Sequence, residues 1–295
     1  MSMVRILSIQ SHVAFGHVGN AAVTFPLQTL GHEVWPVPTA VLSNHAGYRE
    51  VGGSVLSPMQ VQDLLDGLEP RGVYENCDLL LTGYLGSRAV GEVVLTALER
   101  LRTSNEHALY CCDPVIGDCD TGVYVDPDLP AFFHDKAIPA ADIVTPNLFE
   151  LELLSGCESG ALIGALPGAV IAAARRLIER MRPGGCVLIT SFEPAGMSAE
   201  TTAMAVVTAQ SAWRVETPRL TFTQPPHGAG DLAAALFAAW FSTTGDPRES
   251  ISDCAARLHA VLRETSKRDR AELELVSAQF EIRSPSLQFV AEPIG

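Results

Sequence analysis

Short apolar runs alternate with helix-patterned segments along almost the whole chain, and this alternation limits the fold more than any other feature. Arg5–Ile9, Glu33–Val37, Asp78–Thr82, Ala108–Cys112, Ile143–Thr145 and Cys186–Thr190 read as strands. Between them, Gly19–Leu30 (closed by Gly31), Pro58–Leu68 (capped by Ser57), Ser87–Arg102, Asn147–Ser155 (stopped by Gly156) and Ala169–Met181 read as helices. Thr202–Thr208 and Trp213–Thr217 predict a hairpin around Ala209-Gln210-Ser211, followed by helices over Gly230–Ser242 and Arg248–Lys267. Such β–α alternation predicts an α/β fold with a mostly parallel sheet and helices on both faces. No repeat or low-complexity linker divides the chain, so a single domain over 1–295 is expected.

In folds of this kind ligands bind beyond the C-terminal ends of the strands. That rule sorts the polar residues. Ser11-His12, Ser43-Asn44-His45, Gly83-Tyr84-Leu85-Gly86, Asp113 to Asp118, Thr145-Pro146-Asn147 and Thr190-Ser191 all follow strands. Each has an ordinary reading as a turn or a helix start. Their shared placement predicts one polar edge. The polar, glycine-containing stretch Asp118–Asp128 is expected to be a mobile flap beside it.

Gln224 to Ala235 is a loop that turns into a helix. Gly228, Ala229 and Gly230 leave backbone N–H groups free of side-chain cover, and Leu232–Phe241 predicts a buried helix. The first N–H groups of a helix lack internal partners and its dipole favours negative charge, so the turn can hold an anion. Asp231 lies inside it. A carboxylate there would repel a phosphate, but as a base it can orient and deprotonate an attacking hydroxyl. A plain helix cap after a glycine turn fits the same residues, and on this motif alone both readings stand.

Lys and Arg number 20 against 34 Asp and Glu, a net charge of −14. A surface this acidic argues against a nucleic-acid partner, although a small anion needs only local donors. Seven cysteines include no C-x-x-C pair, against a zinc ribbon or thioredoxin-like site, and an odd count suits a reducing compartment. Cys111, Cys112 and Cys186 sit in apolar runs and are expected in the core. The N-terminal apolar run is broken by Gln10, Ser11 and His12, which predicts a first strand and not a signal peptide. No run is long enough to span a bilayer. The expectation is a cytoplasmic protein with no membrane partner.

In order along the chain, several segments resemble the pyridoxal kinases of the ribokinase-like superfamily. They are Leu7-Ser8-Ile9-Gln10-Ser11-His12-Val13, Gly16-His17-Val18-Gly19-Asn20, Ser43-Asn44-His45, Thr82-Gly83-Tyr84, Cys112 to Asp118, Asp142 to Glu150 and Gly228-Ala229-Gly230-Asp231. The resemblance runs end to end. It implies a three-layer α/β/α sandwich and ATP-dependent phosphorylation of the 5′-hydroxymethyl group of pyridoxal or another B6 vitamer. It makes Asp231 the base, touching the substrate, and Gly228, Ala229 and Gly230 the anion hole. Ser11, Val18, His45, Ala46 and Tyr84 would surround the vitamin. Asp113, Asn147, Glu150, Thr190 and Ser191 would surround ATP. Asp113, Asp118, Thr145 and Glu150 would lie around Mg²⁺ and a monovalent cation, K⁺ or Na⁺. A homodimer is also implied, with the Thr202–Thr217 hairpin contributing.

The chain departs from the family pattern at the vitamin pocket. Ala46 stands where the family usually has Thr, Leu42 where an aromatic is frequent, and Ala229 where Thr is common in the glycine turn. Pro225, Pro226 and His227 precede that turn in place of the usual residues. Two other readings therefore stay open: a kinase of another hydroxymethyl heterocycle such as hydroxymethylpyrimidine, and a vitamin-binding protein with little kinase activity.

Overall fold

The computed structural model describes residues 2–294. Its strands are β1 (Arg5–Val13), β2 (Glu33–Leu42), β3 (Gly53–Val55), β4 (Leu79–Thr82), β5 (Leu109–Cys112), β6 (Gly117–Asp118), β7 (Gly122–Val123), β8 (Ile143–Val144), β9 (Cys186–Ile189), β10 (Thr201–Val207), β11 (Ala212–Pro218) and β12 (Glu292–Pro293). The main helices are α1 (Asn20–Thr29), α2 (Pro58–Leu68), α3 (Arg88–Ser104), α4 (Leu148–Ser155), α5 (Pro167–Ile178), α6 (Ala229–Thr244) and α7 (Pro247–Lys267). Ten strands form one sheet in the order β12-β11-β10-β9-β8-β5-β4-β1-β2-β3. From β9 across to β2 every pairing is parallel, and the strands outside that block add antiparallel edges.

Side chains alternate between two cores, as the period of a strand requires. Leu80, Tyr110, Cys112, Val144, Val187 and Ile189 face α2, α3, α4 and α5. Ile6, Leu79, Leu81, Cys111, Ile143, Cys186 and Leu188 face α1, α6 and α7. The result is the expected helix–sheet–helix layering. A sheet covered on both faces explains why its strands are continuously apolar. Helix α6 is apolar all round because it lies sandwiched between α7 and the sheet, with Leu232 to Ala239 buried.

The chain leaves β1 for β2 on one side and returns to β4 on the other. The strand ends beside this reversal, residues 10–13 and 82–84, form the crevice where such sheets bind ligands. A register shift between Gln10 and His12 against β2 marks the same place; bulges of this kind re-aim side chains beside functional sites. A buried polar network fixes it from below. Ser8 Oγ donates to Asn20 Oδ1 (2.8 Å), Gln10 Nε2 donates to Ser8 Oγ (2.8 Å), and Asn20 Nδ2 donates to the carbonyls of Gln10 (2.9 Å) and Val37 (3.2 Å).

Several expectations from the sequence need adjustment. Strands β1 and β2 run on to Val13 and Leu42. Pro36 and Pro38 are tolerated because Glu33 N–H donates to Val4 O, so by alternation the proline nitrogens face away from β1. Short strands β3 and β12 lie at the sheet edges and were not legible. Helical turns also occupy Leu129–Ala140, a stretch whose Pro130 and Pro139 hide the pattern. Asp118–Asp128 begins as the antiparallel pair β6–β7, closed by Asp118 Oδ1 accepting from Asp120 N, Thr121 N and Thr121 Oγ1. The apolar side chains of the β10–β11 hairpin are consumed within the sheet, with Met204, Val206 and Val215 buried. All seven cysteines are free, and Cys111, Cys112 and Cys186 are buried.

Asn20→Ala should lower unfolding stability by about 2–3 kcal/mol, because it strands two buried carbonyls and a serine hydroxyl. Urea titration measures this. A loss under 0.5 kcal/mol, below the usual net value of even one hydrogen bond, would remove the network from its anchoring role.

Candidate active site

Helix α6 begins at Gly228, whose φ of 87° is left-handed and which offers no side-chain cap. Any Cβ at Gly228 would collide with the carbonyl of His17. Only glycine lets the 16–19 loop pack against this turn. The first N–H groups of α6 thus remain open toward the crevice.

Asp231 stands in the first turn of α6, half-buried. Its Oδ2 accepts a 2.9 Å bond from Gly19 N–H, across 212 residues of sequence. Burial raises its pKa to about 6, and the Gly19 N–H opposes part of that rise. Gly19 itself has φ 54° and lies on Ser11, leaving no room for a side chain. A carboxylate tuned toward neutrality, beside an open helix N-terminus, has the properties of a general base for a hydroxyl.

Asp113 follows β5 directly and is buried. Its Oδ1 accepts from Thr145 Oγ1 (2.9 Å). Burial, then the charges of Glu150 and Asp231, hold its pKa well above the ordinary carboxylate range. Glu150 is buried too, and its oxygens are committed: Oε1 accepts from Ile116 N (2.9 Å) and Gly117 N (3.4 Å), Oε2 from Asn147 N (3.0 Å). Asn147 Oδ1 answers by accepting from Glu150 N (2.9 Å), completing a capping box at α4. Burial nevertheless pushes Glu150 up to about 7. Asp118 lies at the rim, its Oδ1 engaged in the turn described above. Thr190 N donates to Pro146 O (3.1 Å), and Ser191 Oγ accepts from Leu148 N (3.2 Å). These residues line the ends of β5, β8 and β9.

The opposite wall comes from the ends of β1, β2 and β4. Ser11 and Val18 are buried, Tyr84 is half-buried and Ala46 is exposed on the loop after β2. His45 stacks on His227 with ring centroids 3.8 Å apart and 27° between planes. Burial, then His227, lowers the His45 pKa, which keeps the ring neutral near pH 7. The stack joins the loop carrying Ala46 to the residue preceding Gly228.

A family model described as phosphomethylpyrimidine kinase matches residues 73–274. The chain is 47% identical to pyridoxal kinase PdxY of Deinococcus radiodurans over 98% of its length and 96% of the relative's. It is 40% identical to pyridoxal kinase PdxY of Corynebacterium diphtheriae, over 99% and 100%. The chain belongs to the pyridoxal kinase family. Among solved structures it resembles pyridoxal kinase from Leishmania donovani in complex with ADP and pyridoxine, with 25% identity, 99% of each chain covered and a TM-score of 0.87. Pyridoxal kinase from Trypanosoma brucei superposes with a TM-score of 0.83 at 28% identity over the whole of both chains.

The family's chemistry calls for a divalent metal with the nucleotide, and the donors can be tested against that need. Among the described residues no three His, Cys, Asp or Glu side chains form a metal cluster. Glu150 and Asp118 already accept hydrogen bonds, whereas Asp113 Oδ2 accepts none among the described residues. Such a set does not make a protein cage. It fits Mg²⁺ arriving on phosphates, which keeps waters and takes only one or two carboxylates. The Ser8–Gln10–Asn20 network below the site and Glu272 at its rim are functional features with no signature in the sequence.

The raised pKa of Asp231 fixes a sign. Only the carboxylate accepts a proton, so kcat/KM should fall as pH drops through about 6. Asp231→Asn should lower kcat roughly 10²- to 10⁴-fold. A variant with near-full kcat would remove Asp231 as base. The buried carboxylates also bind protons that the unfolded chain releases from about pH 4 upward, so their contribution to stability is lost as pH rises toward 7. Asp113→Asn should therefore raise Tm at pH 8 more than at pH 5, by roughly 2–4 °C for each 1 kcal/mol gained. An equal change at both pH values would contradict the repulsion.

Proposed function

We propose that this chain is a pyridoxal kinase whose whole length acts as one catalytic domain, transferring the γ-phosphoryl group of ATP to the 5′-hydroxyl of pyridoxal. The observation that carries the reading is Asp231, tuned to about 6 and held by Gly19 N–H in an uncapped glycine turn. The full-length relatives just named are pyridoxal kinases, which favours the vitamin over a pyrimidine alcohol.

Asp231 takes the proton of the 5′-hydroxyl as its oxygen bonds to the γ-phosphorus. The bond from that phosphorus to the β–γ bridging oxygen breaks, and ADP leaves. The N–H groups of Ala229, Gly230 and Asp231 face the charge that develops. Asp113 and Thr145, with Asp118 beside them at the rim, would hold Mg²⁺, which would neutralise phosphate charge, and a monovalent cation, K⁺ or Na⁺, would add to the same field. Asn147, Thr190 and Ser191 hold the nucleotide side. Glu150 serves both sides indirectly, by stapling the 116–117 backbone to the start of α4. Ser11, Val18, His45 and Tyr84 hold the vitamin. The β6–β7 hairpin and the segment up to Asp128 close over the site and exclude water.

The protein works in the cytoplasm as a homodimer. Exposed apolar residues on β2, β3 and α2, among them Val41, Val55 and Met59, support self-association. Among the described residues, no helix is long and apolar enough to cross a membrane.

ATP turnover with pyridoxal, pyridoxine, pyridoxamine and hydroxymethylpyrimidine tests the reading. Pyridoxal should give the highest kcat/KM; turnover of the pyrimidine alone would overturn it. Ala46→Thr should tighten pyridoxal binding by about 0.5–1.5 kcal/mol, the net value of one hydrogen bond. Ultraviolet difference titration reads this, and weaker binding would mean that Leu42 and His227 have reshaped the pocket.

A further inference from the structure

Glu272 lies between the end of α7 and the short helix Gln279–Arg283, in a segment that the proposed reaction does not use. Its backbone pairs with His227 in an isolated parallel bridge. Its side chain reaches into the rim of the crevice, where both oxygens are taken. Oε2 accepts from His17 N (2.9 Å) and Oε1 accepts from Tyr48 Oη (2.8 Å). The carboxylate passes so close to Gly16 that a Cβ there would collide with it. The next residue, Leu273, is buried, and its Cδ1 lies 3.4 Å from the Cβ position of Gly228.

Three loops meet on this one residue. The first, residues 14–19, carries the N–H that holds Asp231 only two residues beyond His17. The second carries His45, Ala46 and Tyr48. The third is the glycine turn, held through His227. The loops also touch each other: Phe15 and Tyr48 meet edge to face at 6.3 Å, and His45 stacks on His227. Without Glu272 the His17 N–H and the Tyr48 hydroxyl both lose their acceptor, and no other described residue accepts from either.

We infer that Glu272 is a positioning residue, which sets the Gly19 N–H against Asp231 through His17 and sets the vitamin-side loop through Tyr48. It touches neither the reacting atoms nor the phosphates. Its two oxygens act on different quantities. The His17 arm governs the base and therefore kcat. The Tyr48 arm governs the loop beside the vitamin and therefore the KM for pyridoxal. Geometry and not charge does this work, because glutamine can repeat both contacts: its amide oxygen accepts from His17 N–H and its NH₂ donates to the phenol oxygen. The inference rests on Asp231 being the base.

The experiment compares Glu272→Ala, Glu272→Gln and Tyr48→Phe. Misplacement of a catalytic group by about 1 Å can cost 100-fold, so Glu272→Ala should lower kcat roughly 10- to 100-fold and also raise the KM for pyridoxal. Tyr48→Phe removes one hydrogen bond and should raise that KM roughly 3- to 10-fold with kcat nearly unchanged. Glu272→Gln should restore both parameters to within about twofold of wild type, less than the net value of one hydrogen bond. Amide hydrogen exchange followed by NMR gives a readout independent of turnover. Exchange at His17 and Gly19 should quicken roughly tenfold or more in Glu272→Ala, reporting local opening of that loop, and stay slow in Glu272→Gln.

Loss of the KM-against-kcat split, or a Gln variant as damaged as the Ala variant, would overturn the positioning role. Unchanged exchange at His17 and Gly19 would do the same. If Glu272→Ala does not fold, Tyr48→Phe and Glu272→Gln still decide the split and the rescue. A wild-type protein that phosphorylates no pyridoxal would instead overturn the proposed reaction, while the exchange measurement would still judge Glu272 as the anchor of the loop.

Discussion

The bond from Gly19 N–H to Asp231 is the contact on which the rest of the site depends. A carboxylate at the crevice floor loses hydration, and a backbone donor is what partly compensates it. That donor is in place only because Gly19 takes a left-handed conformation directly over Ser11. Ser11 in turn sits at the register shift between β1 and β2. The Asn20 side chain, clamped to Gln10 and Val37, prevents that shift from sliding. One hydrogen bond thus links the first strand, the first helix and the last quarter of the chain, where α6 begins.

The acidic side of the site follows a different logic. Asp113, Glu150 and Asp231 approach one another in a chain already carrying −14, and none has an ion-pair partner among the described residues. Elsewhere two half-buried carboxylates are paired with arginines, Asp142 with Arg102 and Asp253 with Arg257. Leaving the crevice uncompensated costs stability and raises the pKa values of Asp113 and Glu150. In the proposed reaction, positive charge entering with the nucleotide would offset that cost. Binding and ionisation are then coupled, which is a common arrangement where pKa values are displaced.

The parallel sheet was legible because strand and helix periods differ and each run is long enough to display its own. Asp231 was legible because glycines surround it. The buried network was not: Ser8 sits inside an apolar strand pattern, and only the placement of α1 against β1 shows that Asn20 meets it. Glu150 could be read as a carboxylate at a helix start, but the N–H groups of Ile116 and Gly117 that occupy it come from another loop. Glu272 gave no local signal, since it follows a helix end and precedes one buried leucine. Residues whose partners lie within a few positions declare themselves in sequence. Those whose partners come across the sheet do not.

The prolines of β2 have a consequence for how copies of this chain meet. Beyond β3, which covers only Ala40 to Leu42, the outer side of β2 is a free sheet edge. Pro36 and Pro38 remove two outward N–H groups from that stretch, so an incoming strand loses two of the donors a ladder would need. Ladder growth from copy to copy is blocked there. On this flank that leaves side-chain packing over exposed residues such as Val41, Val55 and Met59 as the route by which another chain can be met.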